Sequence, residues 1–237
     1  MKQAAIFGAS GAIGSALLSH LNAQNRFDRI HAVSRSLLPP TLHFQTMQFH
    51  HLKADNLKAC CDRITESGPL SLVIVTSGVL QTPTASPEKS AGDINISSMQ
   101  EIFSANTFFP AAILSHLLRV MPRKQPYSFA ALSARVGSIS DNHLGGWYSY
   151  RASKAALNMV IKTASIEATR LNPRSVIVGL HPGTVASPLS HPFQRFVPKG
   201  KLFTPEFSAA CLWRVLDGLT PKETGKCFAW DGKEVPA

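Results

Sequence analysis

The sequence contains no long run of one kind of residue, and each missing run argues against a class of protein. No apolar stretch approaches the roughly 18 residues that a membrane-spanning helix needs, and the short apolar start runs into glycines, unlike a signal peptide. The chain of 237 residues has a net charge of +10, but no five Lys or Arg are consecutive and no aromatic residues alternate with them. We expect a cytoplasmic protein with no membrane or nucleic-acid partner.

Cysteine and histidine show no arrangement that would hold a metal ion. The four cysteines lack metal-ligand spacing, and two of them, Cys60 and Cys61, are adjacent. His50 and His51 form an adjacent pair with no evident third ligand. We therefore predict no metal site, and reduced thiols are the simplest state for the cysteines of a cytoplasmic protein.

Short apolar segments alternate along the chain with longer segments of helical apolar spacing, and no repeat or shift in composition interrupts them. This alternation predicts an α/β fold in one domain over residues 1–237, a doubly wound, mostly parallel sheet of the Rossmann type with helices on both faces. The polar stretch 81–93 is predicted to be a loop. Strands are predicted at 3–7, 30–34, 72–76, 127–133, 176–180 and 227–230, and more weakly at 46–52. Helices are predicted at 13–22, 56–67, 96–121, 150–171 and 205–216.

A glycine-rich turn follows the first predicted strand. Gly8, Gly11 and Gly14 lead into a helical apolar pattern that begins at Ile13. Glycines let a backbone approach a pyrophosphate, and the free N–H groups of a helix N-terminus attract its charge. The spacing is Gly-x-x-Gly-x-x-Gly rather than the commoner Gly-x-Gly-x-x-Gly, so an ordinary strand–helix turn is the alternative.

Tyr150 and Lys154 are one helical turn apart, so on a helix the phenol and the ammonium share a face. A nearby ammonium and the positive end of a helix both lower the pKa of a tyrosine from about 10. Such a tyrosine donates or accepts a proton near neutral pH. Tyr148 has no lysine four residues further on. The alternative is a pair of ordinary surface residues.

These two features together resemble the short-chain dehydrogenase/reductase family, whose members have an N-terminal glycine turn and a later Tyr-x-x-x-Lys. The resemblance covers essentially the whole chain. The stretch 134–148, from Ala-Arg-Val-Gly-Ser-Ile-Ser-Asp-Asn to Gly-Gly-Trp-Tyr, looks most like the subgroup of sniffer-type carbonyl reductases and C-factor-like proteins. The family implies a nicotinamide cofactor, a small-molecule carbonyl or alcohol substrate, and a homodimer or homotetramer.

The resemblance also implies catalytic roles. Tyr150 would be the general acid, and Lys154 would lower its pKa, hold the nicotinamide ribose and join a proton relay. Asn106, on a predicted helix amid apolar residues, would bend that helix and hold a water of the relay. A satisfied asparagine in the core is the alternative for Asn106.

The family places a serine at the end of the fifth strand, where its hydroxyl donates to the substrate carbonyl oxygen. The strict register, three residues before Gly137, gives Ala134 here. Ser133 is adjacent, but neighbouring strand residues point to opposite faces unless a bulge or turn intervenes. Ser138 is a further hydroxyl nearby. We predict Ser133 as the donor, with the absence of any serine donor as the alternative.

The end of the second strand predicts the choice of cofactor. An acidic residue here would bind the 2′-hydroxyl of NAD, but none occurs between Asp28 and Asp55. In family register Ser34 takes that position and Arg35 follows it, and an arginine suits the 2′-phosphate of NADP. The sequence thus favours NADP(H) over NAD(H), with a surface arginine as the alternative.

The remaining cofactor contacts are implied by the family register alone. Asp55 would contact the adenine. Ser77 and Gly78 replace the family's Asn-Ala-Gly, so the side chain that supports this turn is missing. Residues after the sixth strand would cover the nicotinamide. The complete predicted set is Gly8, Ser10, Gly11, Ala12, Ile13, Gly14, Ser34, Arg35, Asp55, Ser77, Gly78, Tyr150, Lys154, Pro182, Gly183, Val185 and Ser187.

The segment 188–203 is the expected substrate loop, and its side chains suit an apolar or an anionic carbonyl compound. It holds Arg195, Lys199 and Lys201 and no acid, alongside Phe193, Phe196 and Phe203. The prediction is an NADP(H)-dependent oxidoreductase that transfers hydride between nicotinamide and a carbonyl or alcohol, most simply a carbonyl reductase. The alternative is a non-catalytic, cofactor-binding signalling or scaffold protein of C-factor type.

Overall fold

The structure is a computed structural model that describes residues 1–36, 38, 44–48, 54–83 and 86–237. Strands and helices alternate in it as the sequence predicts. The first half contains β1 (Gln3–Phe7), α1 (Ala12–Ala23), β2 (Arg29–Ser34), β3 (Phe44–Gln48), α2 (Ala54–Thr65), β4 (Leu70–Val75), α3 (Ile96–Phe103) and α4 (Phe109–Leu118). The second half contains β5 (Tyr127–Leu132), α5 (Tyr148–Leu171), β6 (Ser175–His181), β7 (Thr184–Val185), β8 (Leu202–Phe203), α6 (Pro205–Gly218), β9 (Cys227–Ala229) and β10 (Glu234–Val235).

Eight strands of the described residues form one sheet in the order β10-β9-β6-β5-β4-β1-β2-β3. Every neighbouring pair is parallel except β9 and β10. The chain winds outward in both directions from β1, which lies between β2 and β4. At such a point the carboxyl ends of the parallel strands open a crevice for a ligand. The predicted doubly wound α/β fold is confirmed.

The central strands are buried on both faces, as a parallel sheet requires. In β4 the side chains alternate, so that Val73 and Val75 pack in a cluster with α2, α4 and α5. Leu72 and Ile74 pack in a second cluster with α1 and α6. The two clusters hold the carboxyl ends of the strands at one edge, where the candidate site lies.

The predicted helix over 96–121 is the largest departure. A π-helical turn, Ser104–Phe108, separates α3 from α4. Pro110 has no N–H to donate to the carbonyl four residues back, at Asn106, and the turn widens so that the Phe109 N–H bonds to Ser104. No helix in the described ranges is long and apolar enough to cross a membrane.

Other boundaries differ by a few residues. Helix α5 begins at Tyr148, two residues before the predicted start, and β5 ends at Leu132. The weak strand predicted at 46–52 corresponds to β3, which ends at Gln48; positions 49–52 lie outside the described residues. The predicted loop 81–93 contains a short 3₁₀ turn, Ala91–Asp93, and positions 84 and 85 are outside the described part.

Candidate active site

The glycine turn after β1 packs tightly on itself and on the end of β4. Gly8 has φ +86°, and a Cβ on it would lie 2.7 Å from the Thr76 hydroxyl oxygen and 2.9 Å from the Ser77 nitrogen. A Cβ on Gly14 would lie 2.2 Å from the Gly8 carbonyl oxygen. Gly11 caps α1 without a side chain, and the first turn of α1 contains no acid. The N–H groups at this end of the helix therefore face the crevice without a competing carboxylate.

A cavity opens between this turn and the end of β2. The Ser34 hydroxyl, which is buried, donates to the Ser10 hydroxyl at 2.6 Å and accepts from the Ser36 N–H at 3.1 Å. Arg35 lines the same cavity, with an exposed side chain. Asp55 lies in the first turn of α2, and its side chain is outside what the structure describes. The cavity is lined by Gly8, Ser10, Gly11, Val33, Ser34, Arg35, Thr76, Ser77, Gly78, Val79, Ala105 and Phe109.

Tyr150 and Lys154 are both buried on one face of α5, and the Lys154 ammonium nitrogen is 5.9 Å from the centre of the Tyr150 ring. That nitrogen donates to the carbonyl oxygen of Leu132, at the end of β5, at 2.8 Å. Burial raises the pKa of Tyr150 to about 12 and lowers the pKa of Lys154 to about 8. The expected lowering of the Tyr150 pKa is therefore wrong for this structure, because burial outweighs the ammonium. Tyr150 holds its proton at neutral pH.

Asn106 lies in the π-helical turn and is completely buried. Its side-chain nitrogen donates to the Val79 carbonyl at 2.8 Å and to the Ser153 hydroxyl at 3.0 Å, and its side-chain oxygen accepts from the Val79 N–H at 2.8 Å. The amide thus joins the segment after β4 to α5, beside Lys154. These contacts agree with the alternative of a satisfied core asparagine, and the relay role stays a prediction.

A second cavity surrounds Tyr150, and its wall is mainly apolar. Trp147 packs its ring edge-on to Tyr150 at 6.2 Å and lies 5.2 Å from the ring of Phe193. Leu80 and Ala134 are buried against Tyr150 in the same cluster. Other lining residues are Ile13, Thr76, Ser77, Gly78, Leu132, Ser133, Arg135, Val136, Lys154, His181, Pro182, Gly183, Thr184, Val185, Ser187, Leu189 and Ser190.

The two cavities share Thr76, Ser77 and Gly78, so they form one crevice along the carboxyl ends of the strands. Two buried polar atoms in its wall have no hydrogen-bond partner among the described residues, the Ser77 hydroxyl oxygen and the Nδ1 of His181. Burial lowers the pKa of His181 to about 4, so its imidazole is neutral near pH 7. Buried polar groups are normally paired, so these two atoms mark places where a ligand would complete the site.

Comparison with known proteins assigns the fold and site to a family. No family model matches the chain. The C-signal protein of Myxococcus xanthus is 34% identical over 171 residues, which cover 72% of this chain and 94% of that protein. The 1-hydroxy-2-glutathionyl-2-methyl-3-butene dehydrogenase of Rhodococcus is 30% identical over 179 residues, which cover 75% of this chain and 74% of that enzyme.

This chain belongs to the short-chain dehydrogenase/reductase family. Solved structures of the same fold cover nearly all of it. NADPH-bound carbonyl reductase from chicken fatty liver has a TM-score of 0.85 and 22% identity, and the match covers 99% of this chain and 94% of that one. The Drosophila melanogaster carbonyl reductase Sniffer has a TM-score of 0.84 and 19% identity over the whole of both chains.

Thr76 replaces the missing asparagine of the family's Asn-Ala-Gly turn as a support. Its hydroxyl donates to the Phe7 carbonyl at 3.0 Å and lies 3.1 Å from the Gly8 carbonyl oxygen, and its N–H donates to Phe7 at 2.8 Å. These bonds tie the end of β4 to the glycine turn. Sequence reasoning missed this role, because only the pairing of β1 with β4 brings Thr76 to Gly8.

In the family register Ala134 stands at the serine position, and the hydroxyl of Ser133 is engaged by another side chain, so the donor role of Ser133 stays a prediction. The Ser133 hydroxyl donates to the side-chain oxygen of Asn158 on α5 at 2.6 Å. The backbone remains extended at Ala134 (φ −153°, ψ 150°), so side chains continue to alternate and the bulge considered for Ser133 is absent. Ser138 is buried and accepts from the Asp141 N–H at 3.1 Å. Ser133 lines the Tyr150 cavity and Ser138 is not among its lining residues.

The segment after β6 folds against the crevice mouth. Gly183 has φ +75°, and a Cβ on it would lie 2.5 Å from the Phe203 ring. Of the predicted substrate-loop aromatics, only Phe193 lines the Tyr150 cavity: Phe203 packs against Phe207 and Trp230, and Phe196 is exposed. Sequence reasoning did not predict Trp147 as a wall residue. It lies just before α5, one helical turn from Tyr150, and this spacing was the available signal.

Proposed function

We propose that this protein is an NADP(H)-dependent carbonyl reductase in which Tyr150 is the general acid. The observation that carries the proposal is the placement of Tyr150, buried and protonated, in the same crevice that begins at the glycine turn and Arg35. The named relatives and structural neighbours support an oxidoreductase of this type.

The crevice has features that fit a dinucleotide. The glycine turn leads into the N-terminus of α1, whose free N–H groups would bind a pyrophosphate, and the Ser77 hydroxyl, which has no hydrogen-bond partner among the described residues, lies where the two cavities join. Residues of the glycine turn and α1 would hold the pyrophosphate, with Pro182, Gly183, Val185 and Ser187 around the nicotinamide. When bound, NADPH supplies hydride to a carbonyl carbon.

Tyr150 then has a definite task in the reduction. Its pKa of about 12 keeps the phenol protonated, so it donates its proton to the substrate oxygen as negative charge develops there. Lys154, with a pKa of about 8, is largely charged at pH 7 and stabilises the phenolate that remains. Asn106 holds the segment after β4 against α5, which fixes the ammonium beside Gly78.

The wall of the Tyr150 cavity favours an uncharged, apolar carbonyl compound over an anionic one. Arg195, Lys199 and Lys201 are not among its lining residues. Arg135 does line it, but its guanidinium is paired with the Asp141 carboxylate at 2.5 Å. Trp147 and Phe193 instead offer aromatic surface beside the acid.

We propose NADP(H) rather than NAD(H) because Arg35 and the Ser34–Ser10 hydroxyl pair line the cavity at the end of β2. Guanidinium and hydroxyl groups suit a ribose 2′-phosphate. Oxidation of NADPH and of NADH, side by side, with a panel of aldehydes, ketones and quinones tests cofactor and activity together. No turnover of any carbonyl with either cofactor would refute the proposal.

The similarity to C-signal favours one second candidate, a non-catalytic signalling protein that keeps a cofactor pocket. Ala134 in place of the family's serine fits that reading as well. Cofactor binding without turnover across the panel would support it.

A homodimer or homotetramer is also proposed. Met159 lines a groove between α4 and α5 with Leu114 and Val160, and its side chain is 66% exposed. Phe108, also exposed, lies in the adjoining π-helical turn. Light scattering of the purified protein measures the assembly directly, and a monomer mass would contradict it.

A further inference from the structure

The start of helix α5 is stabilised by a residue far away in the sequence. Glu88, in the segment between β4 and α3, is only 7% exposed, and both of its carboxylate oxygens lie 3.3 Å from the Ser149 N–H. The Ser149 hydroxyl also donates to this carboxylate. The backbone carbonyl of Glu88 accepts from the Trp147 N–H at 2.6 Å. One buried residue thus binds the last residue before the helix and a residue of its first turn.

Helix α5 needs such a partner because its own capping position provides none. Trp147 has left-handed backbone angles (φ 53°, ψ 45°), and its side chain makes no capping hydrogen bond. The first N–H groups of a helix have no partners within the helix, and a side-chain oxygen normally satisfies one of them from the position just before it. Here the Glu88 carboxylate takes that place and adds a negative charge at the positive end of the helix.

We propose that Glu88 is a positioning residue that fixes Tyr150 and the Trp147 wall of the substrate cavity. Ser149, which Glu88 binds, immediately precedes Tyr150, and both side chains are buried. The Trp147 ring contacts Tyr150 and Phe193. A loss of the Glu88 bonds frees the first turn of α5 and misplaces both the acid and the aromatic wall. The inference rests on the proposed function for its kinetic consequence, but not for its structural one.

The same segment offers a matched control. Asp93 is exposed, and its carboxylate accepts from the N–H groups of Ser90 at 2.9 Å and Lys89 at 3.1 Å, so it caps only the short turn in its own segment. Asp93→Ala removes a capping carboxylate that makes no direct bond to α5 and reaches it only through the Glu88–Lys89 peptide group, whose carbonyl accepts from Trp147. Glu88→Ala removes the side-chain bonds to Ser149, whereas Glu88→Gln keeps one acceptor oxygen, removes the charge and puts an NH2 group in place of the other oxygen.

Amide hydrogen exchange of a peptide covering residues 147–152 reads the position of the first turn without any assay of activity. We expect exchange at least tenfold faster in Glu88→Ala than in wild type, and a much smaller increase in Asp93→Ala and Glu88→Gln. For carbonyl reduction, kcat/KM of Glu88→Ala should fall about tenfold or more, because small misplacements of reacting groups are costly. NADPH binding should change much less than kcat/KM, since the glycine turn and Arg35 lie outside α5, and Glu88→Gln should recover most of the lost kcat/KM.

Wild-type exchange in Glu88→Ala, or equally fast exchange in Asp93→Ala, would overturn the inference. So would a loss of turnover in Glu88→Ala without faster exchange. If Glu88→Ala does not fold, Glu88→Gln and Glu88→Asp are compared instead. Glu88→Asp has a shorter side chain and should exchange faster at 147–152 than Glu88→Gln. Equal exchange in these two variants refutes the positioning role. If the wild-type protein reduces no carbonyl compound, the proposed function fails while the exchange measurement still decides the role of Glu88.

Discussion

Ala134→Ser should speed the carbonyl reduction proposed above. Ala134 stands in the register where the family has its serine, is 8% exposed, and packs against Tyr150 and Leu80. A serine there would place one added hydroxyl beside the acid, directed as strand alternation directs the alanine methyl group. The change adds a single oxygen, so the surrounding wall needs little rearrangement.

The expected gain follows from the value of one such donor. Removing a donor from a preorganised site typically costs ~100–1,000-fold in rate. An introduced hydroxyl has three rotamers, of which one would point at the substrate oxygen, so we expect a smaller effect, about tenfold in kcat/KM. Initial rates of NADPH oxidation with the best carbonyl substrate from the panel measure it.

Ser133→Ala is the matched control because the Ser133 hydroxyl is already engaged by Asn158. It removes the hydroxyl that donates to Asn158 and leaves that amide oxygen without its donor, at a cost of about 1–3 kcal/mol in the free energy of unfolding. Its kcat/KM should stay within about threefold of wild type. A large loss of kcat/KM in Ser133→Ala, together with no gain in Ala134→Ser, would show that the orientation argument is wrong.

Three further changes test other parts of the site and the core. Tyr150→Phe should lower turnover at least ~100-fold with NADPH affinity largely kept, within the range of general acid catalysis; unchanged turnover rules Tyr150 out as the acid. Arg35→Ala should weaken NADPH binding roughly tenfold or more and leave NADH binding almost unchanged, because charge-assisted hydrogen bonds contribute about 1.5–3 kcal/mol each. Fluorescence titration measures both affinities, and an equal loss of affinity for the two cofactors contradicts the prediction. Burial lowers the pKa of His31 to about 4, so its contribution to stability is complete above pH 6.5 and is lost as pH falls toward 4. Between pH 7 and pH 5 the free energy of unfolding, measured with urea, should therefore fall by about 1–2 kcal/mol less in His31→Gln than in wild type. An identical pH dependence of the two proteins would count against this.

The sequence predicted the parts of this fold that depend on local pattern. The strand, glycine turn and helix from Gln3 to Ala23 are adjacent in the chain, and Tyr150 and Lys154 are related by a single helical turn. Periodicity and spacing suffice for such features. The same reasoning placed the crevice at the carboxyl ends of the strands.

What the sequence could not supply were contacts between distant segments. Thr76 supports Gly8 only because β1 pairs with β4, and Glu88 reaches Ser149 across 61 positions. The orientation of Ser133 depended on whether the strand end bulged, which neighbouring residues do not reveal. The high pKa of Tyr150 reflects burial by side chains from several segments, whereas the sequence showed only the nearby lysine.

The backbone before α5 has a consequence for attempts to stabilise this protein. Gly145, Gly146 and Trp147 all have positive φ (64°, 64° and 53°), and the third is a residue for which that conformation costs about 1–2 kcal/mol. Glycine at 147 would relieve this cost, but it would also remove the ring that packs against Tyr150 and Phe193, and the loss of a packed aromatic side chain typically costs about 3–5 kcal/mol. The strained turn is therefore held in place by the wall it presents, and Trp147→Gly should lower the melting temperature and turnover together.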